Sequence, residues 1–176
     1  MNITVYLGAN QGNDPALGRA VEELGRWIGE SGHRLIYGGS KSGLMGVLAD
    51  CVLNAGGEVI GVEPEFFMER AVQHTGLTRL IVTKDMSERK AKMIQLGQAF
   101  IAFPGDSGSV VEVTEADFHI LLTPCILYNP NGYYDYLIRL LRHMVEMGVS
   151  TKERQAGVHF VETLEEIQQI LSDALA

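Results

Sequence analysis

Residues 85–113 read DMSERKAKMIQLGQAFIAFPGDSGSVVEV. Behind Asp85, a helical pattern runs over 86–96; the apolar run AFIAF (99–103) then stops at Pro104, and a glycine-flanked turn leads into a second helical pattern over 109–121. A short buried strand between two helices is the repeating unit of a parallel sheet, because the chain must cross back to the same end before it can pair again. The same alternation extends outward in both directions. ITVYL (3–7), RLIY (34–37), EVIGV (58–62), RLIV (79–82) and CILY (125–128) are further apolar or β-branched runs bounded by turn residues. Helical patterns lie between them over 14–30, with Asp14 as N-cap and Pro15 in the first turn, and over 43–54 and 133–147. A last helix begins at Thr163 with the capping box Thr163 and Glu166, after a turn region over 150–156. The order β-α-β-α predicts an α/β fold, a doubly wound parallel sheet with helices on both faces. Any ligand then belongs in the crevice beyond the carboxyl ends of the strands.

The chain has 176 residues, 46% hydrophobic and 20% charged, enough for one well-buried core, so a single domain over 1–176 is expected. A net charge of −8 argues against nucleic acid or an anionic membrane as partner, and confines any phosphate site to a local patch. The longest apolar run falls short of the ~20 residues of a membrane span, and MNITVYLGAN enters a strand pattern without a signal-type stretch, so a cytoplasmic protein is expected. Cys51 and Cys125 lack metal-ligand or disulfide spacing and suit core packing. The five histidines are scattered without ligand spacing; no metal is expected.

Three loops follow strands. LGANQGND carries Gly8 and Gly12; YGGSKSGLMG carries Gly38, Gly39, Gly43 and Gly46. These glycines either make tight turns or let backbone N–H groups approach a ligand. Neither loop has the GxGxxG spacing of a dinucleotide site, so no nicotinamide or flavin cofactor is expected. The third loop, FPGDSGSVVEV, ends a strand and opens a helix at Ser109, where N–H groups and the helix dipole favour an anion. Ser109 and Glu112 could form a capping box without any ligand; equally, Glu112 near the positive end of the dipole suits an ionised residue that holds ribose hydroxyls or a water. Arg89 and Lys90 fall in the first turn of their helix, where cations oppose the dipole. For Arg89 an anionic partner explains the placement; Lys92 reads as a solvated face.

These residues resemble the LOG ("lonely guy") phosphoribohydrolase family, also labelled lysine-decarboxylase-like. GGSKSGLMG is similar to the family's GGGxxGLMG; Met86, Arg89, Lys90 and Met93 match MxxRKxxM; Pro104, Gly105, Gly108 and Glu112 match part of PGGxGTxxE; and Gly132 to Asp135 resemble a GYYD element. The resemblance runs from residue 3 to about 148. It implies a Rossmann-like homodimer that hydrolyses the N-glycosidic bond of a nucleoside 5′-monophosphate, a cytokinin riboside monophosphate or AMP, with no metal or organic cofactor. Carried over, Arg89 and Glu112 are the catalytic pair. Gly105, Asp106, Ser107, Gly108 and Ser109 cradle the phosphate, Lys90 lines the pocket, and Gly8, Gly38 and Gly39 belong to the substrate site.

Four positions depart from the pattern. Ser40 stands for a glycine and Ser109 for a threonine, and either hydroxyl can donate to phosphate. Asp106 stands for the second glycine of PGG and places a carboxylate at the expected phosphate site. The segment after Glu112 lacks the family's tryptophan-containing continuation and reaches Pro124 early, which reshapes the base pocket. A nucleotide-binding or sensing protein without turnover, or an enzyme for unphosphorylated nucleosides, are the competing readings. The cluster of Tyr133, Tyr134 and Tyr136 reads as packing, and Trp27 as a core-facing helix position.

Overall fold

The computed structural model describes residues 1–68, 72–106, 108, 109, 112 and 123–174. Strands β1 (Asn2–Tyr6), β2 (Arg34–Tyr37), β3 (Glu58–Pro64), β4 (Arg79–Thr83), β5 (Ala99–Ala102), β6 (Cys125–Tyr128) and β7 (Val158–Val161) form one sheet in the order β4-β3-β2-β1-β5-β6-β7, every pairing parallel. The helices are α1 (Pro15–Glu30), α2 (Gly43–Asn54), the single turn α3 (Glu65–Met68), α4 (Met86–Leu96), α5 (Asp135–Glu146) and α6 (Leu164–Asp173). None of the described helices is long and apolar enough to cross a membrane.

Two apolar clusters sandwich the sheet. On one face, Val21, Leu24 and Ile28 of α1, Leu44, Leu48 and Val52 of α2, and Ile167 and Leu171 of α6 pack on Ile3, Val5, Leu35 and Ile101. On the other, Met93 of α4 and Tyr134 pack on Tyr6, Ile36, Val62 and Phe100. Successive strand side chains point to opposite faces, and both faces are covered, which is why the strands read as continuous apolar runs. This is the doubly wound α/β arrangement expected.

Boundaries shift by a residue or two, and three features differ from expectation. β3 runs on to Pro64 and passes into α3. The helix expected over 133–147 starts at Asp135, because Pro130–Gly132 make a 3-10 turn with Asn131 at φ 55°. β7 was not expected at all: VHFV is a half-buried edge strand of 4 residues, too short to show a period. Asp14 caps α1, accepting from the Ala16 N–H at 2.8 Å, and the Thr163–Glu166 capping box of α6 is present. The helical pattern over 109–121 lies outside the described residues except for Ser109 and Glu112, both helical. Cys125 is buried and Cys51 half-buried, and neither is in a disulfide.

Candidate active site

The strand order reverses between β1 and β5, the switch point at which a parallel sheet places its crevice, beyond the carboxyl ends of the strands. Gly8 follows β1 and Gly105 follows β5. A Cβ on Gly105 would fall 3.1 Å from the Gly8 nitrogen and against the Ser109 hydroxyl. The two loops touch backbone to backbone, so this glycine serves loop closure.

Beside that junction lies Arg89. The start of α4 is well capped: Asp85 accepts the Glu88 N–H at 2.9 Å, and the Glu88 carboxylate accepts the Lys84 N–H at 2.7 Å. Those two carboxylates offset the cations that follow. Arg89 turns inward and is 8% exposed. Its Nε donates to the Val62 carbonyl at 3.0 Å, and its Nη1 donates to Glu112 Oε1. Gly38 makes room for it, since a Cβ there would stand 2.6 Å from Nη2. Both side chains of the Arg89–Glu112 pair are largely buried, so deleting one partner would strand the other's charge, at a cost of about 3–5 kcal/mol. Lys90 is partly buried next to Arg89.

Between these two assemblies sits Asp106. Its Oδ1 accepts the Gly108 N–H at 2.9 Å and the Ser109 N–H at 3.3 Å. The cap of the helical stretch that carries Glu112 is therefore Asp106, while Glu112 spends its carboxylate on Arg89; the capping box read between Ser109 and Glu112 gives way to this arrangement. The N–H groups expected to meet a phosphate meet a carboxylate of the chain itself. Ser109 is buried, Gly108 exposed, and Ser107 lies outside the described residues.

A cavity of about 450 Å³ opens at the switch point, bordered by Gly8, Asn10, Asp14, Asp106, Asn131 and Tyr133. The Tyr133 hydroxyl donates to the Gly105 carbonyl, and Asn131 Nδ2 donates to Asp14 at 3.2 Å, tying the loop after β6 to the other two. Tyr134, by contrast, is core: it is 3% exposed, donates to the Phe103 carbonyl at 2.8 Å, and burial raises its phenol pKa far above the ordinary value. Tyr136 is 82% exposed. A hollow of about 520 Å³ between α5 and β7 is larger but lies at the amino end of β7, away from these loops.

The structure thus brings Arg89, Glu112 and Gly38 together, and separately Gly8, Gly105, Asp106 and Tyr133, with Gly108 and Ser109 between them. Gly39 adjoins a group that sequence reasoning missed. Glu63, near the end of β3, is 1% exposed, and its Oε2 has no hydrogen-bond partner among the described residues. Burial raises the Glu63 pKa against the opposing pull of Arg89. Burial, then Glu63 and Asp50, push the Tyr37 phenol pKa well above its ordinary value. Tyr133 was also missed as a site residue; its adjacency to the third loop follows from the β5–β6 pairing, which the sequence does not state.

This fold and site define a Rossmann-like α/β protein with its polar crevice at the topological switch point. Residues 45–171 match the family described as possible lysine decarboxylase. The chain is 41% identical over 162 residues to the cytokinin riboside 5′-monophosphate phosphoribohydrolase of Rhodococcoides fascians, covering 89% of this chain and 82% of that protein. It is 36% identical over 150 residues to the Arabidopsis thaliana enzyme of the same name, LOG1, covering 83% and 70%. The chain belongs to the LOG, or lysine-decarboxylase-like, family. Among solved structures, the molybdenum cofactor binding protein from Rippkaea orientalis superposes with a TM-score of 0.77 at 20% identity, covering 99% of this chain and 97% of that one, a likeness of fold.

Proposed function

We propose that the protein is a nucleoside 5′-monophosphate N-ribohydrolase, converting a cytokinin riboside monophosphate or AMP to the free base and ribose 5-phosphate. The observation that carries this reading is the buried Arg89–Glu112 pair at the carboxyl end of the sheet, in a chain related to phosphoribohydrolases over most of its length. In the reaction the C1′–N bond of the nucleotide breaks and the oxygen of water adds to C1′. The resulting C1′–OH2⁺ loses one proton, which balances the proton taken up by the departing base, and the other stays on the oxygen as the hydroxyl hydrogen. The sugar passes through an oxocarbenium-like state. Glu112 stabilises that positive charge and orients the water, while Arg89 favours the negative charge that grows on the base. Residues Gly105, Gly108 and Ser109 hold the phosphate, Lys90 adds a cation nearby, and Gly8 and Gly39 shape the site.

A second reading has its own observation. Asp106 already occupies the Gly108 and Ser109 N–H groups, so a phosphate must displace it or stay out. A protein that fails to displace it acts on unphosphorylated nucleosides or binds nucleotides without turnover. Incubation with AMP, a cytokinin riboside monophosphate and the matching nucleosides decides. Free base with ribose 5-phosphate supports the first reading; free base with ribose, or no base, supports the second.

The chain acts as one domain over 1–176 and as a cytoplasmic homodimer. No described residue of α5 is buried, and Tyr136, Leu140, Met147 and Val149 stay exposed on and after it, an apolar surface that a second copy would cover. Light scattering at micromolar concentration is expected to return twice the 19.3 kDa chain mass; a monomer mass excludes the dimer.

A further inference from the structure

Glu63 takes no part in the chemistry assigned above, yet it lies within the field of Arg89 with one carboxyl oxygen buried and unpartnered among the described residues. β3 carries it one position beyond Val62, the residue whose carbonyl takes the Arg89 Nε–H. Its carboxyl lies under the second glycine loop, where a Cβ on Gly39 would stand 3.6 Å from the carboxyl carbon. The groups around it are Arg89 from α4, Tyr37 from β2, and, beyond Tyr37, Asp50 of α2 paired at 2.9 Å with His74. Of these, the permanent cation is Arg89, the guanidinium that Glu112 also holds.

We propose that Glu63 is a positioning residue that shares Arg89 with Glu112, so that the charge on Glu63 sets how firmly Arg89 neutralises the Glu112 carboxylate. Ionised, Glu63 draws the guanidinium toward β3 and leaves Glu112 more of its negative charge for the ribosyl cation. Protonated, it leaves Arg89 to Glu112 alone and dulls that carboxylate. Burial and Arg89 oppose one another at Glu63 and burial prevails, so the exchange occurs above the ordinary glutamate range. An unpartnered buried oxygen suits a group whose partner changes with its state. The catalytic consequence rests on the ribohydrolase reading, whereas the sharing of Arg89 does not.

Two measurements separate the claims. Carboxyl ¹³C NMR, with Glu63 assigned through Glu63→Gln, follows its titration in the wild type and in Glu112→Gln. Removing the Glu112 charge gives Arg89 to Glu63, so the midpoint should fall by about 0.5 pH units or more; an unchanged midpoint overturns the proposal. Base release from AMP against pH is the second readout. The wild-type kcat should fall in acid with the Glu63 midpoint. Glu63→Gln should lack that limb and lose about tenfold in kcat, with KM within about threefold. A Glu63→Gln enzyme that keeps the wild-type profile overturns the proposal, and a lowered melting temperature with that same profile marks Glu63 as packing. Glu63→Leu, which carries no polar group to orphan, controls for folding. If the wild type releases no base while the NMR midpoint shifts as stated, the proposed function fails and the sharing of Arg89 is supported.

Discussion

Arg89 is anchored to Val62: its Nε donates to the Val62 carbonyl at 3.0 Å, which fixes the guanidinium to the edge of β3 before any ion pair is made. Arg89 and Glu112 therefore differ in what their loss should do. Glu112→Gln keeps size and an acceptor for Nη1 but leaves the Arg89 charge without its carboxylate, so it should cost stability, though less than the about 3–5 kcal/mol of deleting a partner outright. The rate of base release should fall at least a hundredfold, about 2.7 kcal/mol of transition-state stabilisation. Arg89→Ala strands a buried carboxylate and should lose both activity and about 3–5 kcal/mol of stability in denaturant melts. Near-native activity in either variant would exclude its assigned role.

Asp106 can be separated into cap and charge. Asp106→Asn keeps an acceptor for the Gly108 and Ser109 N–H groups and removes the charge; Asp106→Gly removes both. A unit charge about 5 Å from a phosphate at an effective dielectric of ~20 repels it by roughly 3 kcal/mol. Calorimetry should show AMP binding tightened by up to about a hundredfold in both variants, with adenosine little changed. Asp106→Gly alone should lose a few tenths of a kcal/mol of stability with the cap. Unchanged AMP affinity in both would sink the claim that Asp106 tunes the site, and weakened adenosine binding would favour the nucleoside reading.

Tyr133→Phe removes the hydroxyl that donates to the Gly105 carbonyl while leaving the ring over the cavity. The third loop should loosen, raising KM for AMP about three- to tenfold, with little effect on melting because the side chain is half exposed. Steady-state kinetics with a melt of the same sample checks this, and an unaltered KM would show that the ring, not the hydrogen bond, is what matters.

Glu63 should leave a signature in stability as well. Its folded pKa is raised above the unfolded value of ~4.3, so its contribution is greatest below that value and is lost as pH rises through the folded pKa. Glu63→Leu should therefore gain melting temperature relative to the wild type between pH 4 and pH 8. A constant difference across that range would mean the carboxyl titrates as it does in the unfolded chain.

The sheet was legible because its strands are buried on both faces and so read as unbroken apolar runs, as RLIY and AFIA do. β7 was not, since a half-buried edge strand of 4 residues leaves no pattern. The inward turn of Arg89 was foreshadowed by a cation in a helix start, a placement that costs stability without an anionic partner. Its partner being Glu112, and Asp106 serving as the cap, depend on where loops after different strands meet. Glu63 was invisible for a related reason: alternation says which face a strand residue takes, and here it would have said core, with nothing local to announce a buried carboxyl. Tyr133 was read with its neighbours as packing, which holds for Tyr134 and not for Tyr133.

The pairing of β1 with β5 sets Ile3 beside Ala99 at the centre of the sheet. The cavity bordered by the touching Gly8 and Gly105 loops exists only once that distant pair has zipped, a contact that pays its loop-closure entropy before it returns anything. Catalysis is thus a late reporter of folding. During refolding, helical signal from α1 and α2, which are neighbours in sequence, should return before base release does, and a chain stalled with the two halves of its sheet apart would be compact, helical and inert.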